Sequence, residues 1–107
     1  MIRVVRNSKA AARDIEELDA DLTEREGAAR AGAVVGGVSA IILNLAQTGE
    51  RGHAPHELSG LGRNDLLEVH FKPYRIVYRL EAKTVTVLIV ADGRRDFASL
   101  LTRRLLR

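Results

Sequence analysis

Glu68, His70, Arg75 and Arg95 all fall in the last forty residues of a 107-residue chain. Together they include the residue types that metal-free RNA cleavage requires. A base must take the proton of the 2′-hydroxyl, cations must hold the phosphate as negative charge builds, and an acid must protonate the leaving oxygen. Histidine and glutamate can serve as base or acid, and arginine grips phosphate through two parallel hydrogen bonds. Arg79 and Arg94 add further cations nearby. The same residues would also serve to solvate the open face of a sheet, and pattern alone favours that second reading.

The elements that must position these residues are strands. Leu67, Val69 and Phe71 alternate with Glu68 and His70; Tyr74, Ile76 and Tyr78 alternate with Arg75, Val77 and Arg79; Val85, Val87 and Ile89 alternate with Thr84, Thr86 and Leu88. If Phe71 pairs with Tyr74 across Lys72-Pro73, His70 lies opposite Arg75, and Glu68, His70, Arg75 and Arg79 share one face. A proline at the second central position argues against a type I turn there. The other face, carrying Tyr74 and Tyr78 with Ile76, is expected to cover a helical hairpin.

That hairpin is written upstream. Ile2, Val4 and Val5 suit a short first strand, and Asn7 or Ser8 can cap a helix in which Ala11, Ile15, Leu18 and Leu22 recur at helical spacing. After a break at Glu26-Gly27, a second stripe runs through Val34, Val38, Ile41 and Leu45, with Val35 and Ile42 widening it. Gly36-Gly37 weakens this helix by about 1 kcal/mol per glycine, which implies close packing against a neighbour. Thr48 to Arg63 reads as a loop, and Asp96 can cap a last short helix with Phe97, Leu100, Leu101 and Leu105 on one side. The expected fold is α+β in the order β-α-α-β-β-β-α, one domain over residues 1–107, with the hairpin packed on a small antiparallel sheet.

Composition narrows the function classes. The chain has no cysteine, so there is no disulfide framework, thiolate zinc site or thiol nucleophile. His53 and His56 could both face a metal, but Gly52 and Ala54-Pro55 make that stretch read as a loop, and neither a metal nor a cofactor is expected. Charges in Met1-Ile-Arg-Val-Val-Arg argue against an export signal, so a cytoplasmic location is expected. The apolar run from Ala31 to Leu43 is too short to span about 30 Å of hydrocarbon and reads as a buried helix. Seven of the fourteen acids lie between Asp14 and Glu26, whereas five arginines against one aspartate follow from Gly93 onward. An acidic helical side and a basic C-terminal side follow from this asymmetry, the latter suited to an anionic partner. Arg103, Arg104 and Arg107 also suit the C-terminal end of a helix dipole.

Three segments carry a resemblance to a known family: His56-Glu-Leu-Ser-Gly-Leu, then Asp65 to Arg79 with Tyr74-Arg-Ile-Val-Tyr-Arg at its centre, then Val85 to Asp96 ending Asp-Gly-Arg-Arg-Asp. In order and spacing they resemble the RelE/ParE superfamily, toxins of type II toxin–antitoxin systems once described as plasmid stabilisation proteins. The resemblance covers most of the chain and implies growth inhibition neutralised by a cognate antitoxin, in a hetero-oligomer with it. RelE-like members cut mRNA on the ribosome with an arginine of the Tyr-Arg-x-Val-Tyr strand, matched here by Arg75, and an arginine after the last strand, matched by Arg95. ParE-like members poison DNA gyrase. Glu68 and His70 stand where the nuclease pattern favours lysines, and the terminal helix has no tyrosine or histidine, so His70 would carry proton transfer almost alone.

This departure favours a ParE-like gyrase inhibitor, with the ribosome-dependent endonuclease as alternative and an RNA-binding module third. On the favoured reading no catalytic residue is implied, and Arg75, Arg79, Arg94, Arg95, Arg103 and Arg104 are the target-binding candidates. Val35 and Ile42, left over on the second helix, are the candidate antitoxin contacts, provided the isolated fold does not bury them.

Overall fold

A computed structural model describes residues 2–105, which leaves Arg107 outside the described residues. The elements are β1 (Val4–Asn7), α1 (Lys9–Glu26), α2 (Ala28–Thr48), β2 (Leu66–Phe71), β3 (Tyr74–Leu80), β4 (Thr84–Asp92) and α3 (Phe97–Leu105), with short 3₁₀ turns at Gly49–Arg51 and His56–Leu58. The strands form one sheet in the order β1-β4-β3-β2. The expected β-α-α-β-β-β-α order holds. The sheet is mixed and not wholly antiparallel, because β1 pairs in parallel with β4 at its edge.

Ser8 starts α1 by accepting a hydrogen bond from the Ala11 amide at 3.0 Å. Gly27, at φ +92°, ends it and turns the chain into α2, a conformation that suits a residue without Cβ. Ala11 and Leu22 are buried on α1, and Ala31, Val34, Val38, Ile42 and Leu45 on α2. Ile42 is therefore core, 5% exposed, and not a left-over docking residue. Helical phase explains the correction, since Val38, Ile42 and Leu45 continue one stripe while Ile41 lies at its margin. Val35 is half-buried.

The apolar helix is longer than the run from Ala31 to Leu43 implied. α2 has 21 residues, about 31 Å at 1.5 Å per residue, and is apolar enough to cross a membrane by length and composition. Its inner face nonetheless packs on the sheet. The glycine pair on α2 has an asymmetric explanation: a Cβ on Gly37 would overlap the ring of Phe71, whereas one on Gly36 would meet nothing within 4 Å.

The β2–β3 register is the expected one, with His70 opposite Arg75 and Phe71 opposite Tyr74. The Lys72–Pro73 peptide is cis, the geometry of a turn that accepts proline at its second central position. In β4 the expected alternation fails. Val77 pairs with Ile89 and Tyr78 with Val87, so Leu88 is an extra residue in a β-bulge. Val85 and Val87 face the hairpin with Val38, Leu45, Ile76 and Tyr78. Ile89 turns to the opposite face, packing with Leu58, Leu66, Val77, Phe97 and Leu101. That face was expected to be open, but α3 covers much of it.

The bulge also explains two residues that seemed merely charged. β1 ends at Asn7, so β4 beyond Val87 has no strand on that side. Ser8 donates its amide to the Val87 carbonyl at 2.9 Å. Asp14 of α1 then accepts the Val90 amide at 3.0 Å, and Arg104 of α3 donates to the Leu88 carbonyl at 2.7 Å while pairing with Asp14 at 3.0 Å. An Asp–Arg pair thus satisfies backbone groups that a longer β1 would have satisfied.

Asp14→Ala should destabilise the chain by about 1–3 kcal/mol in urea denaturation, because it strips partners from the Val90 amide and Arg104. Arg104→Ala should cost a similar amount, and the double variant should cost less than the sum. Gly37→Ala should lower stability by about 1–3 kcal/mol through overpacking on Phe71. Gly36→Ala should raise it by about 0.5–1 kcal/mol through helix propensity.

Candidate functional site

The far face of β2 and β3 carries a charged cluster built around Arg75. Alternation along β2 places Glu68 and His70 on this face, and the observed register sets Arg75 across from His70. The loop before β2 supplies the rest. His53 forms an isolated bridge to Glu68, its amide donating to the Glu68 carbonyl at 3.1 Å and its carbonyl accepting from the Glu68 amide at 2.7 Å. Leu58 is buried beneath the next turn and holds Glu57 over the sheet.

Arg75 is fully engaged there. Its Nε and Nη2 donate to Glu68 at 2.7 and 2.9 Å, and its Nη1 and Nη2 donate to Glu57 at 2.7 Å each. Both pairs are bidentate, the geometry a guanidinium fork favours. The Phe97 ring lies beneath the guanidinium, 3.9 Å from Cζ to ring centroid, adding a cation–π contact. Gly93 makes room for the stem, since a Cβ there would stand 2.8 Å from Arg75 Cδ. Side-chain exposure is 11% for Arg75, 13% for Glu57 and 2% for Glu68.

Hydrogen bonds from Arg75 hold the Glu57 carboxyl well below its ordinary value, at about 2. Donating to Glu57, and then to Glu68, raises the Arg75 guanidinium in turn. One guanidinium between two carboxylates leaves one negative charge over. The cluster consequently repels a phosphodiester, and Arg75 has no free fork with which to grip one. Two imidazoles edge it: His70 Nε2 lies 3.4 Å from Glu68 Oε1, and His53 Nδ1 lies 3.8 Å from Glu68 Oε2.

The remaining candidates separate. Arg95 is exposed and lines a different cleft, of about 270 Å³, between α1 and the ends of β3 and β4, with Asp14, Asp21, Arg25, Tyr74 and Asp92. Glu68, His70 and Arg75 converge, but Arg95 makes no ion pair with them among the described residues. Arg79 faces Asp65 at 3.6 Å, and Arg94 pairs with Asp92 at 2.7 Å. Arg75 and Arg104 are committed to internal pairs, so neither is a free target-binding cation. Arg95 and Arg103 are exposed with no carboxylate within ion-pair distance among the described residues. Tyr74 and Tyr78 are buried against the hairpin side, 8% and 0% exposed, which removes the aromatic platform an RNA-reading sheet would need.

Sequence reasoning missed Glu57 and His53 as members of the cluster. Both lie in a loop without periodicity. The only signal was that Glu57 falls inside the His56-Glu-Leu-Ser-Gly-Leu segment already singled out for family resemblance.

Arg75→Ala leaves Glu57 and Glu68 facing each other uncompensated and should destabilise the chain by about 3–5 kcal/mol, measured by urea denaturation. The Glu57 carboxyl titrates near 2 in the folded chain against 4.5 as its ordinary value. Its stabilising contribution is therefore complete above pH 4.5 and is lost as pH falls toward 2. Urea midpoints across that window should fall more steeply for the parent chain than for Glu57→Gln.

Residues 5–97 match the family model described as the ParE toxin of the type II toxin–antitoxin system parDE. Among curated protein sequences none matches the chain. Its fold recurs in solved structures, two of which illustrate the likeness. A chain of the chromosomal ParDE TA system from P. aeruginosa is 15% identical with a TM-score of 0.70, the match covering 85% of this chain and 96% of that one. A chain of the toxin–antitoxin complex RelBE2 from Mycobacterium tuberculosis is 21% identical with a TM-score of 0.59, covering 86% and 92% respectively. At these identities the likeness speaks to fold, and the family match over most of the chain decides the grouping: this chain belongs to the ParE toxin family of type II toxin–antitoxin systems.

Proposed function

We propose that this toxin arrests growth by binding and inhibiting DNA gyrase in the cytoplasm, without chemistry of its own. The observation that carries this reading is the state of Arg75. In a phosphodiester-cleaving site the strand arginine must be free to neutralise developing charge. Here two carboxylates hold it at 2.7 Å, and the cluster keeps an excess negative charge. The ribosome-dependent endonuclease is disfavoured on the same ground, together with the separation of Arg95 from His70 and a described terminal helix that offers no tyrosine or histidine.

Arg95 and Arg103 are the cations left to meet an acidic target surface, with Arg94 beside them in an exposed pair with Asp92. The antitoxin is the second partner. Its docking surface is proposed on the outer side of α2, where Leu43 is 71% exposed and Val35 half-buried, in place of the buried Ile42.

Purified, antitoxin-free chain in a gyrase supercoiling reaction should abolish supercoiling and accumulate cleaved plasmid. Arg95→Glu combined with Arg103→Glu should weaken that inhibition about tenfold or more while leaving the melting temperature unchanged. A folded chain that arrests growth, leaves gyrase untouched and cuts ribosome-bound mRNA in an Arg75-dependent way would overturn the proposal.

A further inference from the structure

We propose that His53, Glu68 and His70 form a binding site for a divalent transition metal of the zinc class. One ligand atom from each residue lies within 4.8 Å of the other two. This grouping is set by backbone pairing: Glu68 and His70 are i and i+2 on one face of β2, and the isolated bridge fixes His53 directly beside Glu68. The two imidazoles meet edge to face with centroids 5.3 Å apart. Tetrahedral zinc ligands stand roughly 3.4 Å apart. Reaching that separation takes about an ångström of movement from imidazoles that are 63% and 39% exposed.

Charge and lone pairs both favour a cation. Arg75 uses one lone pair on each Glu68 oxygen, and a carboxylate oxygen has a second. Were Arg75 paired with Glu68 alone, the carboxylate would be cancelled and a metal would meet no net attraction. Glu57 takes half of that guanidinium, so the three-residue cluster stays negative on the side the histidines line. Two imidazole nitrogens and one carboxylate oxygen suit Zn²⁺ or its neighbours over Mg²⁺, which takes oxygen ligands. Three protein ligands leave a coordination position for water or for a side chain from a partner. The inference is independent of what the toxin targets.

The test is calorimetric titration of tag-free, full-length chain with ZnCl₂, and with MgCl₂ in parallel. The expected result is one Zn²⁺ per chain with no competition from Mg²⁺. His53→Ala and His70→Ala should each weaken binding about tenfold or more. His56→Ala, whose exposed imidazole faces Glu57 at 3.6 Å and is not one of the three ligands, should leave it unchanged. Both ligand positions are partly exposed, and circular dichroism of each variant separates lost binding from lost fold. Absence of stoichiometric binding overturns the site, as does binding that survives both ligand substitutions or disappears with His56→Ala.

Discussion

Arg75 lies where several stretches of chain meet, and its guanidinium fastens them from one point. It stands on β3, takes Glu68 from β2 and Glu57 from the loop before it, lies over Phe97 at the start of α3, and packs its stem against Gly93 in the link from β4 to α3. Two carboxylates this close would repel each other if left alone, and burying them costs several kcal/mol each unless a cation compensates. The loop is held by the buried Pro55 and Leu58 and by the His53–Glu68 backbone bridge, and the ionic contacts then fix Glu57 over the sheet. Removing the cation would disturb the loop, the β2 edge and the seat of α3 together.

The same pairing decides what the sheet face can offer. A strand arginine can in general grip phosphate through its fork, but here the fork is spent inside the molecule. A fold does not fix its chemistry, and here the local charge balance decides what this face can offer. Positive charge is displaced to the rim, to Arg95 and Arg103, while the sheet face itself becomes anionic with two imidazoles at its edge. A surface divided in this way suits recognition at the basic rim.

Periodic segments were readable because burial and period agree. The first helix follows Ala11, Ile15, Leu18 and Leu22, and the β2–β3 register follows from alternation on both sides of Lys72-Pro73. Where period was ambiguous, phase was lost: α2 has apolar or small residues on every side, so Ile41 and Ile42 could not be told apart until the sheet chose Ile42. The bulge at Leu88 left no mark, since Val-Thr-Val-Leu-Ile reads as an unbroken strand. Asp14 was hidden among seven acids of one helix, and Glu57 and His53 depend on contacts from a loop, which no local pattern encodes. Gly37 was the exception, a helix-weakening residue whose packing partner the sequence anticipated without naming.

Arg103 and Arg104 are adjacent on α3 and point about 100° apart. The second closes the open side of the bulge through Leu88 and Asp14, while the first faces solvent. One short helix is thus both a latch for the central strand and the carrier of a rim cation. Shortening the chain from this end would remove the latch and the cation in the same stroke. Replacing Arg103 alone takes away the rim cation and leaves the latch in place, whereas trimming α3 takes both.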